Sequence, residues 1–293
     1  MPPLLTFTSD YGVRDEYVGR VKGVILGLCP EATIVDLTHE IAPQAVEEGA
    51  WLLRAAASDF PDGTIHLAVV DPGVGTARRS LAARTRRALW VGPDNGLFSL
   101  VFESDGPAAV VEIDRRRFLL PSTLAVNACG EPATTAPPLV VNVRALTAAT
   151  FDGRDLFAPV AARLACGSPL GLFGSPIDDW VRLSMPEPGI DASADCIDGE
   201  IIRIDRFGNL ISNITTAHLT QWLGRRTVPR LTVQAGTRSL PFYRSYAEAP
   251  KQSAGALINS SGYLELFAAE GSAQLVLRAD KGMAVIVKRL TKR

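Results

Sequence analysis

Acidic side chains recur at the ends of apolar segments of this chain, where carboxylates can bind a ligand or orient a water molecule. Each follows a run of apolar or β-branched residues: Asp10, Asp36, Asp71, Asp94 and Asp205. In open α/β sheets ligands bind beyond the carboxyl ends of the strands, so carboxylates there are typical of a functional site. Aspartate is also a common turn residue at any strand end. Both interpretations remain open from the pattern alone.

The segment DPGVGTARR, residues 71–79, combines a carboxylate, two glycines and two guanidinium groups. Arg78 occupies the third glycine position of a dinucleotide fingerprint and no helix pattern opens there, so a nucleotide-cofactor loop is disfavoured. Successive strand residues face opposite sides, so we expect only one of Arg78 and Arg79 to face a site. A solvated pair of arginines is the alternative interpretation.

Other kinds of catalytic centre find little support. The three histidines, His39, His66 and His218, share no metal-ligand spacing, so we expect no metal. The GxSxG nucleophile motif is missing from the sequence, which disfavours acyl transfer. The 4 cysteines lie far apart without a CxxC pair, which predicts ordinary free thiols. We therefore expect no cofactor.

Composition and charge indicate a globular protein and disfavour nucleic acid as a partner. The 293 residues carry a formal net charge of −1, and apart from short clusters such as Arg115–Arg117 the basic residues are scattered, which excludes a nucleic-acid surface. No apolar run reaches the roughly 18 to 20 residues that span a bilayer. The first residues lack a basic segment before an apolar one, so we expect a cytoplasmic protein without a membrane partner.

The elements that must position these residues alternate in the first 100 positions as βαβαβ. Apolar residues from Val18 to Leu28 recur at spacings of three and four and predict a first helix, with Asp15 able to cap its start. Near-continuous apolar strands between helices predict a largely parallel sheet covered on both faces. The Pro-, Ala- and Thr-rich stretch 121–149 is typical of a loop or insertion.

The hydrophobic period changes after residue 193 to the alternation of β-strands separated by turns. We therefore predict an α/β N-terminal domain over residues 1–184 and a linker over 185–193, followed by a smaller all-β, barrel-like C-terminal domain over 194–293.

Taken in order, the motifs resemble the S-adenosyl-L-methionine (SAM) hydroxide adenosyltransferases, which are related to the bacterial fluorinase and chlorinase. The matching strings are FTSDYGVRDEYVGRVKGVI, VDLTHEIAPQAVEEGA, VVDPGVGTARR, VGPDNGL, TFDGRDLFAPVAA, IDRFGNLISNI and NSSGYLELF. They extend from residue 5 to about residue 267 and cover nearly the whole chain except the insertion.

The resemblance implies a homotrimer with active sites between subunits, and it assigns roles to residues. Asp10 would hold the ribose hydroxyls, and Asp15 would lie near the methionine amine. The other substrate-binding candidates would contact adenine, ribose or the amino acid group of methionine: Phe151, Asp205, Asn209, Tyr246, Ser260, Ser261 and Glu265.

The same resemblance favours water over halide as the nucleophile. Members that use water carry DPGVG followed by an arginine, as here, and the fluorinase has an extra loop before its equivalent of VGPDNG. Only residues 79–92 separate Arg78 from Pro93, so that loop is missing. Water-using members normally read TFHGRD, whereas this chain reads TFDGRD, with Asp152 in the place of the histidine.

We therefore predict hydrolysis of SAM at ribose C5′ to adenosine and methionine. Asp71 would accept a hydrogen bond from the water, Arg78 would fix Asp71, and Asp152 would be the second acceptor. Two close carboxylates oppose joint ionisation while Arg78 offsets this, and the balance is open at this point. The alternatives are an adenosyl-ligand binding protein without turnover and a halide-using transferase.

Overall fold

The computed structural model describes residues 2–119, 150–191, 193, 195–224 and 231–290. The chain divides into two compact units, Met1–Leu183 and Ser184–Arg293. The predicted insertion 121–149 lies outside the described residues. In the part of the chain that is described, no helix is both long and apolar enough to cross a bilayer.

The N-terminal unit begins with the βαβαβ order that the sequence predicts. Its elements are β1 Leu4–Ser9, α1 Tyr17–Leu28, β2 Thr33–Thr38, α2 Val46–Ala57, β3 Ile65–Val69, β4 Ser80–Thr85, β5 Leu89–Pro93, α3 Ser99–Asp105, β6 Pro107–Ile113, α4 Arg115–Phe118, a π-helical turn Gly153–Phe157, α5 Ala158–Ala165 and β7 Gly174–Pro176. A single 3-10 turn, Leu170–Leu172, precedes β7.

One sheet of order β2-β1-β3-β5-β4-β6-β7 organises this unit. Pairing is parallel across β2, β1, β3 and β5, and antiparallel from β5 through β4 and β6 to β7. The α/β class is confirmed, and the sheet is mixed. The parallel part places the carboxyl ends of β1 and β3 side by side, with Ser9 opposite Val69.

Apolar side chains cover both faces of the sheet, as the continuous apolar strands predict. Along β3, Leu67 and Val69 belong to the core that α1 and α5 close, whereas Ala68 belongs to the core that includes Leu53 of α2 and Val101 of α3. Fully burying one such Leu or Val side chain contributes about 1.5–3 kcal/mol. These two cores make the sheet a rigid support for the loops at its edge.

The expectation that Asp15 caps α1 is wrong. The helix begins at Tyr17, Glu16 occupies the N-cap position with helical dihedral angles, and no side chain caps it. Asp15 is exposed and precedes the N-cap. The predicted buried stripe is correct for Val18 through Ile25, but Leu28 is 41% exposed at the helix end.

The C-terminal unit is a β-structure that is nearly closed into a barrel. Its strands are β8 Gly189–Asp191, β9 Cys196–Ile204, β10 Leu210–Thr215, β11 Leu231–Ala235, β12 Arg238–Pro241, β13 Ala254–Ile258, β14 Tyr263–Ala268 and β15 Ala284–Arg289. They follow the order β12-β11-β15-β9-β10-β14-β13, with β8 beside β9. Strand β8 lies inside the stretch expected to be a linker.

Two helices and a short turn interrupt these strands: α6 Thr216–Leu223, the 3-10 turn Tyr246–Glu248, and α7 Ala273–Leu277. Alternation along β11, where Leu231, Val233 and Ala235 are buried, supplies one side of a single apolar core. A bridge between Phe242 and Ala256 connects the two ends of the strand order. The loops between strands are thereby held at defined positions.

His66 on β3 is a buried imidazole in the N-terminal core. Its ring stacks on Trp90 with centroids 4.3 Å apart, and Nδ1 lies 2.7 Å from the Thr6 hydroxyl. Burial lowers the pKa of His66 from 6.5 to about 4. The folded protein therefore keeps this ring neutral at pH values where the unfolded chain protonates it.

We predict that acid destabilises the fold in part through His66. Because its folded pKa is lowered, the stability it contributes is complete above pH 6.5 and is lost as pH falls toward about 4, by about 3 kcal/mol. His66→Gln, which retains a polar group for Thr6, should flatten the decline of the unfolding free energy between pH 7 and pH 4.5. Urea titrations of both proteins measure it, and equal slopes would contradict the prediction.

Candidate active site

An ion pair between Asp71 and Arg78 lies in the loop that connects β3 to β4. Arg78 donates from Nε to Asp71 Oδ1 at 2.8 Å and from Nη2 to Asp71 Oδ2. Gly75 adopts a positive φ of 78° in this loop, which favours glycine. Side-chain exposure is 10% for Arg78 and 5% for Asp71, so the pair is nearly shielded from solvent.

Asp152 joins this pair from a distant part of the chain. It lies at the start of the π-helical turn, and its Oδ2 accepts a hydrogen bond of 2.6 Å from Nη2 of Arg78. The side chain is 1% exposed. The structure thus brings together the three residues that the sequence predicts to act on water.

A second guanidinium, which the sequence analysis did not single out, also binds Asp152. Arg115, the first residue of α4, donates from Nη1 to Oδ2 at 2.7 Å and from Nη2 to Oδ1 at 2.8 Å. The Ser80 hydroxyl accepts from Nη1 of Arg78 at 2.6 Å and lies 3.5 Å from Nη1 of Arg115. Two carboxylates and two guanidinium groups therefore lie in one hydrogen-bonded group and balance in formal charge.

The hydrogen bonds leave the two carboxylates with different free capacity. A carboxylate accepts about four hydrogen bonds. From the described residues Asp71 receives two, both from Arg78, while Asp152 receives three from Arg78 and Arg115. Asp71 is therefore the better acceptor for an additional water, and Asp152 chiefly fixes Arg78.

A cavity of about 190 Å³ opens beside these carboxylates. Its walls come from the loops after β1 and β3 and from the turn before α5, and the lining residues are Asp10, Tyr11, Tyr17, Asp71, Val74, Thr150, Phe151, Asp152 and Gly153. Asp15 is exposed and does not line it. The loops after two adjacent parallel strands thus meet at one site, as expected for an α/β sheet.

Asp10 is fixed by the backbone of a neighbouring loop. Its Oδ2 accepts a hydrogen bond of 2.8 Å from the Gln44 amide, and Gln44 itself adopts a positive φ of 67°. Such a conformation is uncommon for a residue other than glycine and persists where surrounding contacts determine it. The carboxylate is therefore held in place on the cavity wall.

Behind Asp10, buried polar groups stabilise the same turn. The Ser9 hydroxyl accepts from the Tyr11 amide at 3.3 Å and lies 2.8 Å from Nδ1 of His39. Nε2 of His39 is 3.1 Å from Asp36, which accepts from Lys22 at 2.5 Å. Ser9 is fully buried, so this arrangement supports the loop and does not present a nucleophile. Burial lowers the pKa of His39, which favours its neutral form.

Tyr11 places a hydroxyl close to the carboxylates. A Cβ at position 153 would overlap that hydroxyl, so Gly153 permits the close approach of the two segments. Burial, and then the charges of Asp10, Asp71 and Asp152, raise the pKa of Tyr11, which keeps the phenol protonated. Phe151 packs edge-on against Tyr11 and Tyr17, with ring centroids 5.8 and 5.3 Å away.

The remaining residues of the strand-end pattern have other partners. Asp94 accepts from Arg79 Nε and from the Val181 amide, both at 2.8 Å, and Arg79 also pairs with Asp179. Of the two adjacent arginines, Arg78 alone binds Asp71 and Asp152 beside the cavity. This agrees with the expectation that only one of them faces a site. Asp36 supports His39, as described above.

In the C-terminal unit a larger cavity of about 890 Å³ is lined by several of the predicted residues. Asp205, in the loop between β9 and β10, accepts from the amides of Phe207 and Asn209 through Oδ1 and from Asn209 Nδ2 through Oδ2. This carboxylate therefore fixes the turn and the orientation of the Asn209 side chain. Both residues line the cavity.

A hydrogen-bonded group around Glu265 forms another wall of this cavity. Glu265 is 4% exposed and accepts from the Tyr246 hydroxyl at 2.5 Å and from Asn259 Nδ2 at 3.2 Å. Burial raises the pKa of Glu265, and the bonds from Tyr246 and Asn259 oppose that rise. Ser260 lines the cavity, whereas Ser261 is exposed and outside its lining.

Asn259 was missed by the sequence analysis, although it begins the string NSSGYLELF. Its Oδ1 accepts from the amides of Ser261 and Tyr263 while its Nδ2 binds Glu265. One asparagine thus connects the serine turn to the buried carboxylate. The sequence feature that could have identified it is an asparagine at a strand end before serine and glycine, but asparagine is also common at such positions in ordinary turns.

We predict that Gly153→Ala destabilises the protein through its overlap with the Tyr11 hydroxyl, by about 1–3 kcal/mol. Tyr11→Phe in the same chain should recover part of that loss, because the next ring atoms would lie 3.2 and 3.4 Å from the new Cβ. A double-mutant cycle on the unfolding free energy measures the coupling. Gly27→Ala in α1 is the control, since its Cβ meets nothing within 4 Å, and additive effects of the two site changes would contradict the contact.

Comparison with known proteins agrees with this arrangement. Residues 5–174 match the SAM hydroxide adenosyltransferase N-terminal domain, and residues 199–286 match the C-terminal domain. A Thermus thermophilus protein named (R)-S-adenosyl-L-methionine hydrolase is 38% identical over 95% of this chain and 97% of its own. A fluorinase from Actinoplanes sp. is 31% identical over 90% of each chain.

Among solved structures, an uncharacterized conserved protein from Thermotoga maritima has a TM-score of 0.81 and 30% identity, covering 97% of this chain and 100% of that one. Both domain matches and the identity over nearly the full length agree with the order of the motifs. The chain belongs to the SAM hydroxide adenosyltransferase family.

Proposed function

We propose that this protein hydrolyses S-adenosyl-L-methionine at the ribose C5′ to give adenosine and L-methionine. The observation that carries the proposal is the Asp71–Arg78 pair beside a small cavity that Asp10 also lines. A carboxylate fixed by a bidentate guanidinium, with capacity for another hydrogen bond, is suited to orient a water molecule. The family match and the hydrolase relatives support SAM as the substrate.

The reaction requires orientation more than acid catalysis. The sulfonium of SAM is already a good leaving group, so attack of water forms the O–C5′ bond while the C5′–S bond breaks. The bonding electron pair passes to sulfur and gives the neutral thioether of methionine. Asp71 accepts the proton that the water loses, and Arg78 limits the motion of that carboxylate. Asp152 is the second carboxylate of this group and keeps Arg78 aligned.

The substrate-binding roles follow the family resemblance and are supported to different degrees. Asp10 and Phe151 line the cavity beside Asp71, which suits contacts with ribose. The C-terminal cavity is large enough for a ligand part and is lined by the residues proposed for adenine and the amino acid group: Asp205, Asn209, Tyr246, Ser260 and Glu265. Asp15 and Ser261 are exposed and remain candidates through the resemblance alone.

The relatives refine the proposed substrate. Those from Thermus thermophilus, Salinispora arenicola and Methanocaldococcus jannaschii bear names that specify the (R) form of SAM. We infer that this enzyme also prefers the (R) sulfonium epimer. The two epimers differ only in the configuration at sulfur, so one of them can fit less well when C5′ is in line with the water.

The proposal extends to assembly, location and cofactors. The family resemblance supports a homotrimer with active sites between subunits. The described thiols of Cys29, Cys166 and Cys196 are free, which is compatible with the cytoplasm. We expect no metal or other cofactor to take part, because the sulfonium leaves without a Lewis acid.

We predict that the purified protein converts SAM to adenosine and methionine, faster for the (R) epimer, with and without a chelator. Chromatography with mass detection of the products measures this. A 5′-halogenated adenosine formed in halide buffer would instead show a halide-using transferase, and S-adenosylhomocysteine would show methyl transfer. Tight binding without any product would show an adenosyl-ligand binding protein.

A further inference from the structure

Arg115 is the one member of the charged group around Asp152 to which neither the motif pattern nor the proposed roles assign a part. It lies in α4, at the end of β6, and reaches Asp152 with two nearly equal hydrogen bonds of 2.7 and 2.8 Å. Its side chain is 35% exposed and does not line the cavity, while Asp152 is 1% exposed. Arg115 is therefore placed to act on the site through Asp152.

Removing Arg115 would change the charge balance around a buried carboxylate. Among the described residues, the charged and titratable groups around Asp152 are Arg78 and Asp71 from the segment before β4, Arg115 from α4 and Tyr11 from the loop after β1, and Asp10 lines the same cavity. Without Arg115, Arg78 alone would offset the charges of Asp71 and Asp152. One guanidinium group cannot give both carboxylates the bonds that they now receive.

We propose that Arg115 is a positioning residue for the hydrolysis: it holds the Asp152 carboxylate in a fixed orientation, so that Asp152 keeps Arg78 aligned on Asp71. The inference rests on the proposed function, because it assigns Arg115 a part in the same site. Bidentate contact from a planar guanidinium fixes both position and direction of the carboxylate, which a single ammonium group cannot do.

The charged group also determines how the reaction responds to pH. Imidazole is the side chain that ordinarily titrates between pH 5 and 8, whereas in the part of the chain that the structure describes this group consists of carboxylates, guanidinium groups and the Tyr11 phenol. We therefore expect kcat of the parent enzyme to change little between pH 6 and 8.

The test is steady-state kinetics of Arg115→Gln, Arg115→Lys and Arg116→Gln across pH 5.5 to 9, with adenosine affinity measured separately. Arg115→Gln should lower kcat by about ten- to hundredfold while KM and adenosine affinity change less than about threefold. Arg115→Lys should recover part of kcat by restoring the charge. Arg116→Gln removes the neighbouring arginine charge, and we expect it to match the parent.

The outcomes separate this inference from the proposed function. A parent enzyme without turnover refutes the function, whereas an active parent with an identical Arg115→Gln profile refutes the role of Arg115. Equal losses in Arg115→Gln and Arg116→Gln would also refute it, since a general charge effect would then suffice. If Arg115→Gln does not fold, judged by its melting temperature, Arg115→Lys decides: an unchanged kcat and pH profile overturns the inference.

Discussion

Arg78 lies between two buried carboxylates, and the rest of the site depends on keeping it there. A buried guanidinium is stable only where its N–H groups find acceptors, and Asp71, Asp152, Ser80 and the backbone oxygen of Arg79 provide them. Removing one partner of such a buried pair costs about 3–5 kcal/mol. The segment before β4, the turn before α5 and helix α4 must therefore meet within hydrogen-bonding distance. The two apolar cores of the sheet hold them at that distance.

Close packing around the cavity fixes the positions of these charged groups and the shape of the cavity. Gly153 lets the Tyr11 hydroxyl approach the π-helical turn, and Gln44 accepts an uncommon backbone conformation to bind Asp10. Both features fix polar groups on the wall of the cavity that Asp71 lines. A water held there has few orientations, which is what an in-line displacement at carbon requires.

Local pattern was sufficient for much of the fold, and the family resemblance supplied the centre of the site. Hydrophobic period predicted β1 through β3 with their helices, and the change of period predicted the β-rich second unit. The pairing of Asp71 with Arg78 followed from the family resemblance, because the spacing alone left a solvated pair of arginines as an alternative. The cap at Asp15 was predicted wrongly, because a residue type that favours caps does not determine which turn starts the helix.

The sequence pattern could not predict contacts between residues that lie far apart in the chain. Arg115 stands in a run of three arginines, which ordinarily indicates a solvated surface, and its selection depends on where α4 lies relative to Asp152. Asp36 and Asp94 have the same strand-end pattern as Asp10, yet Asp36 pairs with His39 and Asp94 accepts a hydrogen bond from Arg79, so both have structural roles. Carboxylates with the same sequence pattern are thus distinguished only by their tertiary contacts.

The central claim is that water attacks C5′ directly while Asp71, held in place by two hydrogen bonds from Arg78, orients it and forms no bond to carbon. Its most direct test uses SAM carrying one deuterium of defined configuration at C5′, with the configuration of the adenosine product determined by NMR. A single in-line displacement predicts inversion at C5′. Retention would mean two displacements through a covalent intermediate on a protein carboxylate, and would contradict the account.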